Sequence, residues 1–484
     1  MKANYFLYFF LIFAFHLIKC DLILRAPKEL QSTFISKYKF EIFTFNIDGT
    51  IKTGLANFGK ISYGHKMEGY LLYDVNNEQN QYGCEKFDKY TEENPAIGDS
   101  PFIILKKGLC SVTRKVINVE KAGGHAAIII NDKDEPPEQM FLADDGQGSD
   151  ISIPAVLIGS TDGNKLIEYY KYNPHDKAHR IRLEIHFLLE KSDNTVKYDI
   201  WFTPDQENVY SFLKDFERYQ KLLGDTAILG MHYVTYPYFS YNPNSNSPVE
   251  DCLGGGLYCV RPGNTITDGS LIALESIKQK CIYKYTYENK EKINGKQYFW
   301  DYMIKFYEKC IYQQEIYDKL CSENIISLVG IQKNVIDQCI TDSFIGTSTG
   351  TLNQNTIKIL KNKILDEEYE TRKNNYITRV PSLTINGRLY DGSWRPEYIF
   401  DALCASLNKK PKVCFTEGTQ IEAQGFSGPA VFLIILVVLA INIILFILCK
   451  NYIKNKIIDR IESTDINSKI DAVVNSYIAL RDQS

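Results

Sequence analysis

Residues 102–131 read FIILKKGLCSVTRKVINVEKAGGHAAIIIN, two apolar runs with an amphipathic stretch between them. The runs at 102–105 and 126–130 are short and apolar, which is typical of buried strands. Three valines recur at helical spacing between them: Val112, Val116 and Val119. A pair of glycines at 123 and 124 ends this helix. The stretch therefore predicts strand, helix and strand in succession, and with them a mixed fold class, α/β (α+β).

The pattern continues on both sides of this stretch. Apolar runs at 67–73 and 153–158, and an alternating run at 181–187, predict three more strands. Residues 162–172 predict a helix that Thr161 or Asp162 caps. These elements make a first domain over residues 21–190.

Composition describes an ordinary globular chain. The 484 residues are 44% hydrophobic and 24% charged, which suggests two to four domains rather than a disordered protein. The formal net charge of −4 gives no basic surface for nucleic acid, so none is expected as a partner.

Two long apolar runs indicate a membrane protein. Residues 1–20 have a basic residue, an apolar core and a break, the pattern of a secretory signal peptide. Residues 429–449 carry no charge and are long enough to span ~30 Å of hydrocarbon. Lysines follow that run, which places the tail, 450–484, in the cytosol. We therefore expect a membrane-embedded, single-pass type I protein with a linker at 415–428.

The cysteines agree with an oxidising compartment. Of the 12 in the sequence, ten remain when Cys20 and Cys449 are set aside, and all ten lie on the proposed luminal side. Cys84 and Cys110 stand far from the other eight, which begin at Cys252. We expect the eight to pair among themselves. The chain contains no Asn-x-Ser/Thr site, so N-glycans are not expected.

The second domain, 195–414, resembles a thioredoxin-like fold. It has a strand at 198–202, a helix at 209–223, a strand at 227–233 and, much later, RVPSLTING at 379–387 before a helix at 396–407. The resemblance implies a cis-proline at Pro381, between Val380 and Ser382, beside which extended chain can bind. Residues 234–378 would be a Cys-rich helical insertion. Residues 203–208 read TPDQEN where a redox enzyme needs Cys-x-x-Cys, so disulfide exchange is not expected.

The first domain resembles a protease-associated domain through FIILKKGLC (102–110), KAGGHAAIIIN (121–131) and IPAVLIG (153–159). More narrowly, the chain is similar to plant-type vacuolar sorting receptors, on ANFGKISYG (56–64), CLGGGLYC (252–259), LESIKQKC (274–281) and FWDY (299–302). Those receptors usually carry epidermal-growth-factor-like repeats before the membrane. Here only 415–428 intervenes.

The receptor resemblance implies several roles. It implies a disulfide between Cys84 and Cys110, and cargo contact at the positions that match an Arg-Gly-Asp-Cys turn, here Lys107, Gly108 and Leu109. Lys107 keeps the charge but loses the guanidinium fork. An exposed surface lysine is the alternative interpretation of Lys107.

The tail contains a candidate sorting signal. Tyr477-Ile-Ala-Leu480 fits Tyr-x-x-Φ, which the medium chain of clathrin adaptors reads as an extended segment with two apolar pockets. The receptor family has a Tyr-x-x-Leu at the matching place. The expected partners are therefore this adaptor chain and soluble luminal cargo proteins that carry peptide sorting signals.

Enzyme functions do not fit. Residues 346–350 match Gly-x-Ser-x-Gly, but no histidine follows His232, so a hydrolase lacks its base. His-Glu-x-x-His is absent, and neither a metal nor a cofactor is expected. The sequence thus predicts a cargo receptor of the Golgi, trans-Golgi, endosome or prevacuolar and vacuolar membranes. A redox-inactive, chaperone-like or structural membrane protein of the secretory pathway is the alternative.

Histidines suggest how cargo is released. The seven in the sequence include His65, His125, His175 and His179, all in the first domain. Histidine titrates between Golgi and endosomal pH. We expect release by pH rather than by calcium.

Overall fold

The computed structural model describes most of the chain. The described residues are 20–40, 43–73, 78–87, 100–137, 139–173, 180–238, 249–261, 268–289, 294–311, 319–346, 354–415 and 467–476. Contacts divide the chain into two units, Met1–Phe415 and Thr416–Ser484. Within the described residues no helix combines the length and apolar character that a membrane crossing requires. The predicted span 429–449, the signal peptide before Cys20, and both Tyr477 and Leu480 lie outside them.

The amino-terminal half of the first unit is a closed barrel. Seven strands form it in the order β1-β4-β8-β7-β6-β5-β9, and β9 pairs back with β1. Their bounds are β1 Cys20–Ala26, β4 Thr50–Leu55, β5 Lys66–Leu72, β6 Pro101–Lys106, β7 Ala126–Ile130, β8 Ala155–Ile158 and β9 Arg182–Phe187. A two-stranded ribbon, β2 Ile35–Phe40 and β3 Phe43–Asp48, and a short helix, α1 Lys28–Gln31, accompany it.

Strands β5 to β8 run parallel, and the others are antiparallel. Helix α2 Val112–Lys121 connects the parallel strands β6 and β7, and helix α3 Ser160–Tyr172 lies between β8 and the antiparallel strand β9. Strand β7 is buried along its whole length, as parallel strands covered on both faces must be. The sequence predicted the strands and helices from β5 onward, whereas it gave no prediction for β1 to β4.

One predicted detail is wrong. Helix α3 begins at Ser160, and neither Thr161 nor Asp162 caps it; Gly159 is at the cap position without a side chain to offer. Instead Asp134, from the loop after β7, accepts a hydrogen bond of 3.0 Å from the Thr161 backbone N–H. The cap comes from a residue distant in sequence, so local patterns could not indicate it.

The other half of the first unit has a four-stranded sheet in the order β11-β10-β14-β15. Strands β10 Val196–Phe202 and β11 Ala227–Tyr233 are parallel, whereas β14 Ser382–Ile385 and β15 Arg388–Tyr390 join antiparallel. Helices α4 Glu207–Leu223 and α11 Pro396–Ala405 contact each other through Tyr219 and Phe400, whose ring centroids are 5.1 Å apart. This arrangement agrees with the thioredoxin-like pattern of the sequence.

The inserted segment between β11 and β14 is mainly helical, as predicted. Its described residues include a small hairpin, β12 Cys252–Leu253 and β13 Tyr258–Cys259, and six α-helices. The helices are α5 Gly269–Thr286, α6 Gly295–Phe306, α7 Lys319–Leu328, α8 Lys333–Ser343, α9 Gln354–Ile359 and α10 Lys363–Asn374. Helix α5 lies against β11, where the Tyr283 hydroxyl donates to the Leu229 carbonyl at 2.6 Å.

Five disulfides divide between the two halves. Cys84 bonds Cys110 in the barrel. The remaining eight cysteines pair among themselves, as predicted: Cys252–Cys259, Cys281–Cys339, Cys310–Cys321 and Cys404–Cys414.

The two halves of the first unit contact each other through buried polar groups. The Tyr63 hydroxyl donates to the Asp391 carbonyl at 2.9 Å and accepts from the Asp391 N–H at 2.8 Å. Arg388 pairs with Glu190 at 3.0 Å. Because buried hydrogen bonds of this kind are costly to leave unmade, they favour a fixed arrangement of barrel and sheet.

Candidate functional site

The turn after β6 carries an exposed apolar residue, Leu109. Gly108 and Leu109 both have positive φ, +102° and +64°. Leucine rarely adopts this conformation, and its side chain is 81% exposed, so it contributes nothing to the core. Its left-handed backbone makes Leu109 a candidate contact residue, since residues held in rarely populated conformations cluster at ligand-binding sites.

The turn is fixed from beneath by Lys115 of α2. Its Nζ is fully buried and donates to the Gly108 carbonyl at 2.6 Å and to the Tyr82 carbonyl at 2.5 Å. The two sulfurs of the Cys84–Cys110 disulfide lie 3.7 and 3.5 Å from the same atom. Burial lowers the pKa of Lys115 to about 8. One side chain and one disulfide therefore set the shape of the turn.

Sequence reasoning missed Lys115, although a signal was present. Lys115 lies three residues after Val112 and four before Val119, which is the apolar face of the helix. A lysine on that face must either extend to solvent or find buried acceptors, and here it finds carbonyls.

Lys107 lies beside the turn and is partly engaged. Its Nζ donates to the Asn131 Oδ1 at 2.9 Å and is 4.0 Å from the Asp132 carboxylate. Asn131 in turn donates to Glu135 at 2.6 Å. The Lys107 side chain is still substantially exposed, so its charge is both tethered and accessible to solvent.

A loop that the sequence did not single out borders the start of α2. Thr113 Oγ1 donates to Asp145 at 2.5 Å. Asp144 accepts hydrogen bonds from the N–H groups of Gly146 and Gly148, at 2.9 and 2.8 Å, which orders the loop around it. Hydrogen bonds therefore connect this loop to the helix that carries Lys115.

In the thioredoxin-like half, the Val380–Pro381 peptide bond is cis. Val380 packs against Trp201, Val234 and Ile377, which are buried. Ser382 donates to the Arg379 carbonyl at 2.6 Å. The structure thus has the cis-proline edge that the resemblance implies, directly before β14.

No cysteine stands where a redox enzyme would have its pair. Thr203 occupies that place, and its N–H donates to Gln206 at 3.0 Å just before α4 begins. This edge therefore offers no sulfur for thiol–disulfide chemistry.

The cis-proline edge contacts the barrel through Arg379. Its guanidinium lies 3.8 Å from the centroid of Phe141, a barrel residue that precedes the Asp144 loop. Arg379 also pairs with Asp391 at 2.7 Å, the residue that Tyr63 of the barrel holds. A continuous series of contacts therefore runs from the Leu109 turn, through α2 and the Asp144 loop, to Pro381.

A buried charge cluster lies behind Trp201. His232 stacks on that ring, with centroids 4.0 Å apart, and approaches Glu368 at 3.0 Å and Asp199 at 3.3 Å. Lys280 pairs with Glu368 at 2.7 Å. Burial alone would lower the pKa of His232, but the hydrogen bonds to both carboxylates outweigh it and raise that pKa. Burial would raise the pKa of each carboxyl, and His232 lowers both.

Two of the four histidines that the sequence linked to cargo release lie in described parts of the chain. His125 contacts Ser100 at 2.9 Å, and His65 is exposed. His175 and His179 lie outside the described residues. Over the described ranges, no three His, Cys, Asp or Glu side chains are grouped so as to hold a metal ion.

Comparisons with known proteins agree with this architecture. Residues 67–166 match the family described as PA domain, and residues 196–404 match the vacuolar sorting receptor thioredoxin-like domain. Vacuolar-sorting receptor 1 of Pisum sativum is 27% identical over 402 residues, which cover 77% of this chain and 60% of that protein. The chain is a distant relative of the plant vacuolar-sorting receptors. The resemblance predicted from the sequence is thereby confirmed.

Vacuolar-sorting receptor 3 of Arabidopsis thaliana is similar to the same degree, 26% identical over 411 residues. The match covers 78% of this chain and 60% of that receptor, so the chain spans about 60% of the length of these curated relatives. Among solved structures, reduced DsbA of Mycobacterium tuberculosis is 11% identical with a TM-score of 0.27, covering 46% of this chain and 93% of that chain.

Proposed function

We propose that this chain is a type I transmembrane cargo receptor, not an enzyme, that sorts soluble proteins from the Golgi to a vacuole-like or lysosome-like compartment. The luminal unit binds peptide signals on cargo. The tail recruits clathrin adaptors through Tyr477 and Leu480. The distant relationship to vacuolar-sorting receptors supports the general role, and the cargo, the adaptor and the membrane topology are parts of the proposal.

The exposed Leu109 turn carries the proposal. Three features prevent it from collapsing: the hydrogen bonds of the buried Lys115, the disulfide and the Asp144 loop. A preordered apolar side chain loses little conformational entropy on binding, so it can contribute most of its contact area to affinity. In this proposal Leu109 contacts cargo directly, with Gly108 shaping the turn and Lys107 attracting acidic groups.

The cis-proline edge provides the second contact. Val380, Pro381 and Ser382 lead into β14, and extended chain beside them adds main-chain hydrogen bonds. Because the edge has no cysteine, cargo is held without disulfide exchange. Arg379 ties this edge to Phe141 of the barrel, so both contacts are offered by one surface of fixed shape.

Removal of the Leu109 side chain tests the cargo site. Leu109→Gly retains the positive φ, which glycine tolerates, so folding should be unaffected. The amount of luminal protein that co-purifies with the full-length chain should fall about fivefold. Leu328→Ala, at another exposed leucine, is the matched control and should change nothing. Equal recovery with both variants would contradict the proposal.

The tail signal separates the proposal from its alternative. The described residues 467–476 are helical and precede Tyr477 in the sequence. A cargo receptor with Tyr477→Ala should accumulate at the cell surface, since the adaptor pocket for the tyrosine is left empty. A resident chaperone-like or structural protein would keep its location, and that result would favour the alternative.

A further inference from the structure

The end of α10 carries an exposed tyrosine in a conformation that favours glycine. Tyr376 has φ of +55° and is 88% exposed. Around it, the Ile377 N–H donates to the Arg372 carbonyl and the Tyr376 N–H to the Lys373 carbonyl, both at 3.1 Å. This hydrogen-bond pattern closes a helix with a left-handed residue, usually glycine. Ile377 is buried against Trp201 and so fixes the backbone, whereas the Tyr376 ring packs into no core.

Arg372, one turn earlier, has its guanidinium close to two tyrosine rings. Its guanidinium lies 4.4 Å from the centroid of Tyr236 and 5.5 Å from that of Tyr369. Over the part of the chain that the structure describes, no carboxylate forms an ion pair with Arg372. A stacked guanidinium keeps its edge free to accept a carboxylate in bidentate geometry.

Two further tyrosines are held rigidly beside this arginine. Tyr236 exchanges two backbone hydrogen bonds with Cys259, at 2.9 and 2.8 Å, and the Tyr238 N–H donates to the Gly256 carbonyl at 2.8 Å. The Cys252–Cys259 disulfide closes the hairpin on which they rest. Their side chains are 42% and 40% exposed.

We propose that Tyr236, Tyr238, Tyr376 and Arg372, here called the tyrosine patch, form a second docking surface for an extended acidic peptide with aromatic side chains. Carboxylates bind Arg372, and aromatic rings stack on the tyrosines. Charge complementarity favours this occupant, because a basic peptide would be repelled by Arg372 and Lys373. The patch borders the cis-proline edge, since Val234 and Ile377 flank Trp201 together with Val380.

This inference rests on the proposed function in one respect: the bound peptide is taken to be part of a cargo. Peptide binding itself can be measured without transport. The probe is a fluorescein-labelled heptapeptide in which pairs of aspartates alternate with pairs of phenylalanines, so that each face of the extended chain carries both kinds of side chain. Two control peptides carry lysine in place of aspartate, or alanine in place of phenylalanine.

The experiment measures fluorescence anisotropy of the probe with the full-length chain in mild detergent. We expect the probe to bind at least fivefold more tightly than either control peptide. Tyr376→Gly and Arg372→Gln should each weaken binding about fivefold. The melting temperature of Tyr376→Gly should not fall, because glycine suits the left-handed position better than tyrosine does.

Two variants define what would overturn the inference. Tyr172→Ala removes an exposed tyrosine of the barrel and should leave probe binding unchanged. Leu109→Gly should also leave it unchanged, which separates failure of the patch from failure of the Leu109 turn. The tyrosine patch would be refuted if Tyr376→Gly and Arg372→Gln bound the probe as wild type does. It would also be refuted if the lysine peptide bound equally well, or if a mannose oligosaccharide bound in place of the probe.

Discussion

Two buried lysines, one in each half of the first unit, have different hydrogen-bond partners and different structural roles. Lys115 of the barrel donates to the carbonyls of Gly108 and Tyr82, and burial lowers its pKa to about 8. Lys280 of the insertion pairs with Glu368 at 2.7 Å and donates to the Met231 carbonyl at 2.7 Å. The first lysine orders an exposed turn, whereas the second closes a charged core.

The difference matters because carbonyl dipoles and carboxylates respond differently to a lost proton. A lysine among carbonyls can become neutral without leaving an opposite charge buried. A lysine paired with Glu368 cannot, because the carboxylate would remain buried beside fewer counter-charges. The charge beneath the barrel turn can therefore be lost without leaving an unpaired partner, whereas the cluster behind Trp201 is a fixed structural element.

The largest expected effect is at the fixed element. Glu368→Gln leaves Lys280 without its carboxylate and His232 with Asp199 alone, so we expect the free energy of unfolding to fall by about 3–5 kcal/mol. Urea unfolding at pH 7 measures it. Glu367→Gln is the matched control, since its exposed pair with Lys284 should contribute less than about 1 kcal/mol. Comparable losses in both variants would argue against a special role for the buried cluster.

A smaller effect is expected at the barrel turn. Lys115→Met fills similar volume but removes a donor from the Tyr82 carbonyl and from the Gly108 carbonyl, which keeps only the Cys110 N–H, and this should cost about 1–3 kcal/mol. Amide hydrogen exchange at Leu109 should accelerate in the same variant. Lys121→Met, at an exposed position of the same helix, provides the control. A Lys115→Met protein with the wild-type exchange rate would show that other contacts hold the turn.

The pH dependence of stability should differ in sign between the two regions. The pKa of Lys115 is lowered on folding, so its burial is least unfavourable when it is neutral. The free energy of unfolding of wild type should therefore increase relative to that of Lys115→Met as pH rises above 8. The pKa of His232 is raised, so its contribution is complete at pH below about 6.5 and is lost as pH rises through the folded value. The free energy of unfolding of wild type should therefore increase relative to that of His232→Gln as pH falls from 8 to 6.

Asp199 and Glu368 limit that gain at the acid end. Their pKa values are lowered on folding, so the stability they contribute disappears once pH falls below about 4. Melting temperatures of the two variants and wild type, measured in matched buffers between pH 4 and 9.5, check both signs. Parallel pH profiles for Lys115→Met and His232→Gln would contradict the comparison.

The smallest effect is expected at Lys107. Its contact with Asn131 lies at the surface, so Lys107→Gln should change the free energy of unfolding by less than about 0.5 kcal/mol. Thermal unfolding checks this expectation. A larger loss would mean that Lys107 supports the turn as Lys115 does, and would weaken its assignment to cargo attraction.

The sequence predicted those features that depend on local pattern. Apolar periodicity located strands β5 to β11 and helices α2, α4 and α11, because burial of one face sets the spacing of apolar residues. The positions of Val380 and Pro381 followed from the thioredoxin-like order of elements. Leu109 was placed at the turn through the receptor resemblance alone.

Features formed between distant residues were not predictable in this way. The cluster of His232, Lys280 and Glu368 is assembled by three elements that are well separated in sequence. The Phe141–Arg379 contact and the Asp134 cap have the same origin. Tyr376 could have been noticed only by knowing that α10 ends in a left-handed residue, which requires the backbone.

Site-specific crosslinking at Leu109 tests the central proposal most directly. A photoreactive phenylalanine analogue at position 109 of the full-length chain, activated in living cells, should crosslink soluble proteins of the secretory pathway. The same analogue at position 328, an equally apolar surface position far from the turn in sequence, should not capture them. We expect a crosslinked species at 109 that Lys115→Met diminishes. The same species at both positions, or none at 109, would contradict cargo binding by the turn.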